Sequence, residues 1–316
     1  MRPSAESLEL PDGQWWQVAH TLEPTPIVLP SGVELVRLLE RLGVEHDDAV
    51  ELPGVLAEVL TDPRLSWLAT RYATTLVRDL GALGLPTIFA DPTRNWPVLP
   101  LSDGPAARCV YLPAFLATVP QIRALHRARG LPDDVSWATL ADLGRQISIH
   151  RRTFGVLGTD TQWWTAIAWN GSLVDLGRLQ AEWLTPHTVG LHIPESGPLT
   201  PEAVDASLDR LRAGWQGWFG TKPIQAECVS WLLDPQLAEF LPPSSNMMRF
   251  QRRFTLDDDP GAPADQSALY FVFRRRDVPI PEGLAALPQD TGLQRGIVDL
   301  LAAGGHWHFR KGSFSL

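Results

Sequence analysis

Cys228, Ser230 and Asp234 fall close together in one stretch, Cys-Val-Ser-Trp-Leu-Leu-Asp-Pro. On a strand, Cys228 and Ser230 are two apart and face the same side. With His192 as base and Asp234 as orienting carboxylate they make a nucleophile set of the kind that serves covalent hydrolysis. The stretch has no Gly-x-Ser-x-Gly turn, and a cysteine inside a strand is also a small hydrophobe that packs. His192 alone suits general-base work, because a neutral imidazole exchanges protons near pH 7. Its other reading is a structural histidine bonding the backbone of the Pro-Gly loop that follows. Glu227 and Asp234 bracket the strand, and Asp234 reads equally as a helix cap. Asn246 either holds a turn or donates to a carbonyl oxygen. His306 and His308 share a strand face, but no third ligand is close by, so no metal is expected.

The elements that must position these groups follow from spacing. Residues 224–233 are apolar and aromatic and read as a strand, stopped by Asp234-Pro235. Asp234 caps a short helix whose first residue is Pro235 and whose apolar face is Leu237, Phe240 and Leu241. Pro242-Pro243 ends it. Ser244 to Asn246 form a turn, and residues 247–254 read as a second strand. Strand, short helix and strand thus draw Cys228, Ser230, Asp234 and Asn246 together. Upstream, 163–169 and 173–183 read as strands joined at Asn170-Gly171, a favoured hairpin pair. Residues 189–193 are a further strand that carries His192. Thr200 with Pro201 opens a helix that buries Val204, Leu208, Leu211 and Trp215. Residues 268–274 read as a strand, 291–303 as a helix with Leu293, Ile297, Leu300 and Leu301 inward, and 306–314 as the closing strand.

The first half reads differently. After a proline-rich arm over 1–30, helical spacing appears at 33–42, 53–60, 65–83, 122–129 and 137–151. Residues 86–121, punctuated by prolines, read as a long connection in which 109–115 is either a short strand or a helix start. The expectation is an α+β chain: a mainly helical domain over 1–155, then a mixed β-sheet flanked by helices over 156–316.

Bulk properties narrow the class. The chain has 316 residues, enough for two ordinary domains. At 44% hydrophobic and 20% charged it has a globular composition. A formal charge of −9 argues against a nucleic-acid partner. Two cysteines, Cys109 and Cys228, make no disulfide framework, which suits a reducing cytoplasm. Residues 1–12 lack the apolar core of a secretion signal, and no apolar run approaches the roughly 20 residues that span a bilayer. No membrane partner is expected. Most of the 13 tryptophans should be core, with some left to line an apolar groove.

Several runs occur together in a fixed order. They are Leu-Gly-Arg-Leu-Gln-Ala-Glu ending at Glu182, and His-Ile-Pro-Glu-Ser-Gly-Pro-Leu-Thr-Pro from His192. Cys-x-Ser-Trp-Leu-Leu-Asp-Pro from Cys228 follows, then Ser-Asn-x-x-x-Phe-x-x-x-Phe from Ser245 and Leu-Pro-Gln-Asp-Thr-Gly-Leu-Gln-Arg ending at Arg295. In these runs the chain resembles a bacterial two-domain acyltransferase family, a divergent branch of the GCN5-related N-acetyltransferase (GNAT) superfamily. The resemblance covers roughly residues 155–310 and implies a helical partner domain ahead of them. It implies acyl transfer from acyl-CoA, or from the phosphopantetheine of an acyl carrier protein, to a small-molecule or peptide amine, without a metal. In such enzymes the pantetheine lies between splayed strands and the diphosphate rests on a helix N-terminus, whose unpaired donors suit an anion. Carried onto this sequence, Phe271, Phe273 and Arg274 fall on the cofactor strand, and Gln289, Thr291, Gly292 and Arg295 on the diphosphate loop. That loop keeps the first glycine of the superfamily pattern and lacks the second, and a proline-rich linker precedes it. Thr291 is otherwise an ordinary helix cap. Tyr270 becomes a candidate acid toward a departing thiolate, or a core residue.

Three functions stand at this point. One is direct N-acyl transfer with general-base help from His192 and support from Glu227, Asp234, Asn246 and Tyr270. A hydrolase that uses Cys228 or Ser230 is the second. The third is a binding protein on a decayed transferase core.

Overall fold

The computed structural model describes residues 4–316, and these form two compact units, the first ending at Asp175 and the second running from Leu176 to Leu316. The first three residues of the N-terminal arm lie outside the described ones. The fold is α+β, as its patterning implies: a helical first unit and a second unit built on a mixed sheet.

The first unit holds α1 (Trp16–Ala19), α2 (Val33–Arg41), α3 (His46–Thr61), α4 (Pro63–Arg78), α5 (Gly104–Arg108), α6 (Leu112–Ala128), α7 (Asp133–Leu140), α8 (Asp142–Phe154) and α9 (Gln162–Trp169). A short strand, β1 (Leu173–Asp175), ends it. Local chemistry explains α4. Asp62 Oδ1 accepts from the N–H groups of Arg64 (2.8 Å) and Leu65 (3.0 Å), and Pro63 fills the first helical position. Leu65, Leu68, Tyr72 and Leu76 then recur at helical steps and are buried. This helix packs on α6, and Tyr72, Trp96, Tyr111 and Phe115 meet edge-on or tilted at its centre.

Several expectations change here. The helix expected from Pro53 begins at His46 and runs through the proline. The supposed connection contains α5 and most of α6, in which Pro120 is also interior. Each proline removes one backbone donor, but buried residues on both sides of it (Leu52, Val55 and Leu56; Val119 and Ile122) hold the helix to the core. Residues 163–169 are helical, and Asn170-Gly171 is the helix end and not a hairpin turn. Gln162, Thr165, Ala168 and Trp169 are its buried positions, at helical spacing.

The second unit holds β2 (Gln180–Thr185), β3 (Thr188–His192), α10 (Pro201–Phe219), β4 (Gln225–Ser230), α11 (Leu237–Phe240), α12 (Asn246–Gln251), β5 (Thr255–Leu256), α13 (Asp265–Phe273), α14 (Gly292–Ala302) and β6 (Arg310–Ser315). Within this unit the strand order is β2-β3-β4-β6-β5. β3 and β4 run parallel, and the other pairs are antiparallel. A second apolar core gathers Trp231, Leu237, Met248, Leu269, Ile297 and Trp307.

Two expected strands are helices. Most of the strand expected over 247–254 is α12, which ends at Gln251, because the Ser245 hydroxyl accepts from Met248 N–H and starts a turn that buries Met248 and Phe250. The strand expected over 268–274 is the later part of α13 and its cap, Arg274, and the helix buries Ala268 and Leu269. The closing strand starts at Arg310, so His306 and His308 precede it. β4 stops at Ser230, and residues 231–233 make one turn of 3-10 helix. No helix among the described residues is long and apolar enough to cross a membrane.

Candidate active site

Register sorts the side chains of the sheet into two sets. Ala181 pairs with Leu191, Val189 with Ala226, Ala226 with Phe314, and Cys228 with Gly312. These residues share one face, and Ala181, Val189, Leu191, Ala226 and Cys228 are buried. On the opposite face Glu182 pairs with Gly190, Gly190 with Glu227, and Glu227 with Ser313, while Gln180 faces His192 and Val229 faces Lys311. This face is polar and more exposed, with Val229 itself 63% exposed.

His192 ends β3 on that polar face. Its Nε2 lies 2.7 Å from Glu182 Oε2 on the neighbouring strand. Glu227 accepts Lys311 Nζ at 3.0 Å. Gly190 lies between the two carboxylates and adds no side chain there, although Leu184 folds over it. The result is a histidine–carboxylate pair and a lysine–carboxylate pair on either side of a glycine floor. A strand glycine often marks close approach of another backbone or a ligand.

The same pleat separates the nucleophile set. Cys228 and Ser230 belong to the face opposite His192, so the strand does not present them to that imidazole. Cys228 is 3% exposed, and burial pushes its thiol up to about 12, which keeps it protonated and unreactive at neutral pH. The Ser230 hydroxyl accepts from Leu232 N–H and caps the turn after β4. Asp234 is 2% exposed. It accepts from Gln236 N–H (3.0 Å), Gln236 Nε2 (3.1 Å) and His308 N–H (2.9 Å), so it ties the end of β4 to the segment entering β6. Asn246 is the first residue of α12. His306 Nδ1 contacts Asp265 while His308 contacts Asp234, so the two histidines turn to separate carboxylates. Among the described residues, no group of three potential metal ligands forms.

The residues expected to hold the cofactor are arranged differently from a strand. Tyr270, Phe271 and Phe273 lie on α13, and Arg274 caps its C-terminus. Thr291 and Gln294 form a reciprocal capping box at α14, with Thr291 N–H donating to Gln294 Oε1 at 2.9 Å and Gln294 N–H to Thr291 Oγ1 at 3.1 Å. Gly292 begins that helix, and Arg295 turns back to the carbonyls of Gln289 and Asp290. Sequence reasoning passed over Glu182 and Lys311. A charged residue inside an otherwise half-apolar strand is the signal for both, and pairing them with His192 and Glu227 requires the register.

A mixed sheet with one parallel pair and a helix after its inner strand, following a separate helical unit, defines a two-domain architecture. Residues 33–171 match the N-acyltransferase N-terminal domain and residues 173–314 match the GNAT-like C-terminal domain. The chain belongs to the family of two-domain acyltransferases that these domains define.

Solved structures agree along the whole length. An acyltransferase mutant in complex with octanoyl-CoA is 39% identical, with a TM-score of 0.89, over 99% of this chain and 98% of that one. An acyltransferase in complex with decanoyl-CoA and teicoplanin is 39% identical, with a TM-score of 0.85 and the same coverage. A third, in complex with CoA and 10C-teicoplanin, is 39% identical with a TM-score of 0.86, again over 99% and 98%. None of the curated proteins matches the chain.

Proposed function

We propose that this protein transfers a medium-length acyl group from acyl-CoA to an amine of a glycopeptide-type acceptor, with His192 as general base. The observation that carries the reading is the 2.7 Å contact of His192 Nε2 with Glu182 on the open face of the sheet. The octanoyl-CoA, decanoyl-CoA and teicoplanin of the similar structures support the donor and acceptor classes.

The chemistry follows from that pair. An ionised Glu182 accepts the Nε2–H bond and so sets the tautomer, leaving the ring's lone pair on Nδ1. The acceptor amine attacks the thioester carbonyl, a C–N bond forms, and the amine proton passes to Nδ1. The C–S bond then breaks, and the departing sulfur takes a proton from the imidazolium and leaves as the CoA thiol. Glu182 stabilises the imidazolium while it exists. No covalent acyl-enzyme is required, in keeping with the position of Cys228 and Ser230 on the other face.

The donor needs a crevice. Parallel strands open one beyond their carboxyl ends. Pairing of β3 with β4 is recorded from Thr188 to Gly190, short of His192. Residues 193–200 lead from there to α10, whose N-terminus offers donors and a positive dipole end to an anion. At α14 the capping box takes the Gln294 N–H, and at α10 Thr200 takes the Ala203 N–H while Pro201 has none. It is the position of α10 directly after β3, not a larger donor set, that favours it for the phosphates.

The test is an assay for the amide product by mass spectrometry, with octanoyl-CoA and a teicoplanin-type acceptor. Wild type should form the acylated product, and His192→Gln should lose about 100-fold or more in rate while keeping its circular dichroism spectrum. Undiminished turnover by His192→Gln would sink the proposed base.

A further inference from the structure

Arg274 has a backbone and a side chain that the mechanism above leaves unused. It ends α13 at φ 53°, in the left-handed region that side-chain-bearing residues rarely adopt. Residues held in such conformations concentrate at ligand clamps. The guanidinium carbon lies 5.3 Å from the Tyr270 ring centre and 5.9 Å from that of Phe271, so two aromatic rings flank it. The side chain is only 13% exposed and forms an ion pair with Glu195. Nη1 of the same guanidinium is buried and has no hydrogen-bond partner. A buried cationic donor in that condition is short of an acceptor.

Glu195 lies in the loop over 193–200 that links β3 to α10. Arg178 reaches the same loop, donating from Nη1 to the Pro194 carbonyl at 3.0 Å. Two arginines therefore converge on one loop, one at a carbonyl and one at a carboxylate. The helix that follows presents its positive end, with Thr200 as its cap. Glu195 is the acidic residue of this loop, and its side chain is 45% exposed on the solvent side.

We propose that Glu195 is an internal stand-in for a phosphate of acyl-CoA. On binding, a donor phosphate displaces the Glu195 carboxylate from Arg274 and engages the guanidinium through two nitrogens, including Nη1. A phosphate brings more charge and more acceptor oxygens than the carboxylate it replaces, and a guanidinium fork matches it bidentately. Glu195, whose side chain is 45% exposed, swings outward into solvent. When CoA leaves, the carboxylate recloses on Arg274 and helps expel the product. The proposal rests on the acyl-CoA reading above.

The experiment is calorimetric titration of the full-length protein with CoA and with dephospho-CoA, comparing wild type, Glu195→Gln, Arg274→Gln and Arg274→Lys. Glu195→Gln should bind CoA about threefold more tightly, the scale of a partly exposed ion pair removed. Arg274→Gln should bind about tenfold more weakly, and Arg274→Lys should recover only part of that, since it keeps the charge without the fork. A response to dephospho-CoA equal to that for CoA assigns the diphosphate, and a lost response assigns the 3′-phosphate. Glu195→Gln changes an exposed loop side chain and decides the exchange even if the Arg274 variants fold poorly. Unchanged or weakened CoA binding in Glu195→Gln overturns the exchange and leaves the acyl-CoA reading intact. No CoA binding by wild type overturns both.

Discussion

At the scale of single residues, Glu182 is the informative position. It touches His192 through one short contact and has no separate chemistry to perform. A carboxylate in that place orients an imidazole and stabilises its charged form. Glu182→Gln keeps a hydrogen-bonding group at the same reach but removes the charge. We expect kcat to fall roughly 10-fold or more with KM nearly unchanged, read from steady-state kinetics on the acyl-transfer assay. A rise in KM alone, with kcat unchanged, would assign Glu182 to substrate binding. His192 was legible in the sequence as a strand-end histidine before a Pro-Gly loop. Glu182 was not, because the partner of a strand residue depends on the register of a neighbouring strand, which no local pattern states.

At the scale of elements, the sequence announced its helices best where a cap and a proline agree. Thr200-Pro201 opens α10 at the expected residue and Thr291 caps α14, whereas α4, expected from Leu65, begins two residues earlier at Pro63 behind an Asp62 cap. It concealed α9 and α13, whose runs of Trp, Ile, Tyr, Phe and Val carry strand-like composition. A short apolar run fits strand and helix equally, and tertiary burial chooses between them. In α13 the choice leaves Phe271 53% exposed, next to Arg274, where a strand would have alternated it with its neighbours. Asp234 was expected to cap a helix from Pro235, but the helix begins at Leu237 with Gln236 at its cap position. Asp234 instead holds the turn through Gln236 N–H, and its reach to His308 N–H, 74 residues away, was not visible. Asp234→Ala strips partners from three donors at a buried point. The expected loss is about 2–4 kcal/mol, seen as a drop of several degrees in Tm by calorimetry. A Tm within 1 °C or so of wild type would show that the network is dispensable.

At the scale of the whole molecule, one buried histidine links stability to pH. Burial pushes His126 down to about 4, and the charges of Arg123 and Arg129 add to the effect. Its Nδ1 meets Ser136 Oγ at 2.7 Å, and the residue is 1% exposed. The folded state therefore favours the neutral ring, whereas in the unfolded chain the ring titrates near 6.5. Between those values the unfolded chain binds a proton that the folded chain refuses, so stability is present above about 6.5 and is lost as pH falls toward 4. The sum is on the order of 3 kcal/mol. Urea midpoints for wild type and His126→Gln, measured at steps from pH 7.5 to 4.5, should show the wild-type decline steeper than the variant's. Parallel declines would remove His126 from the account.

The pleat of β4 has one more consequence. Ala226 and Cys228 point into the packing, while Glu227 and Val229 point to the side where His192 stands. Neighbouring codons of this strand thus answer to different demands. In a saturation library scored separately for soluble yield and for product formed per molecule, tolerance along 226–229 should alternate. Substitutions at 226 and 228 would empty the cell of protein, and those at 227 and 229 would leave it full of altered enzyme. Drift in this lineage can then retune what the enzyme acylates one residue at a time without revisiting what keeps it folded.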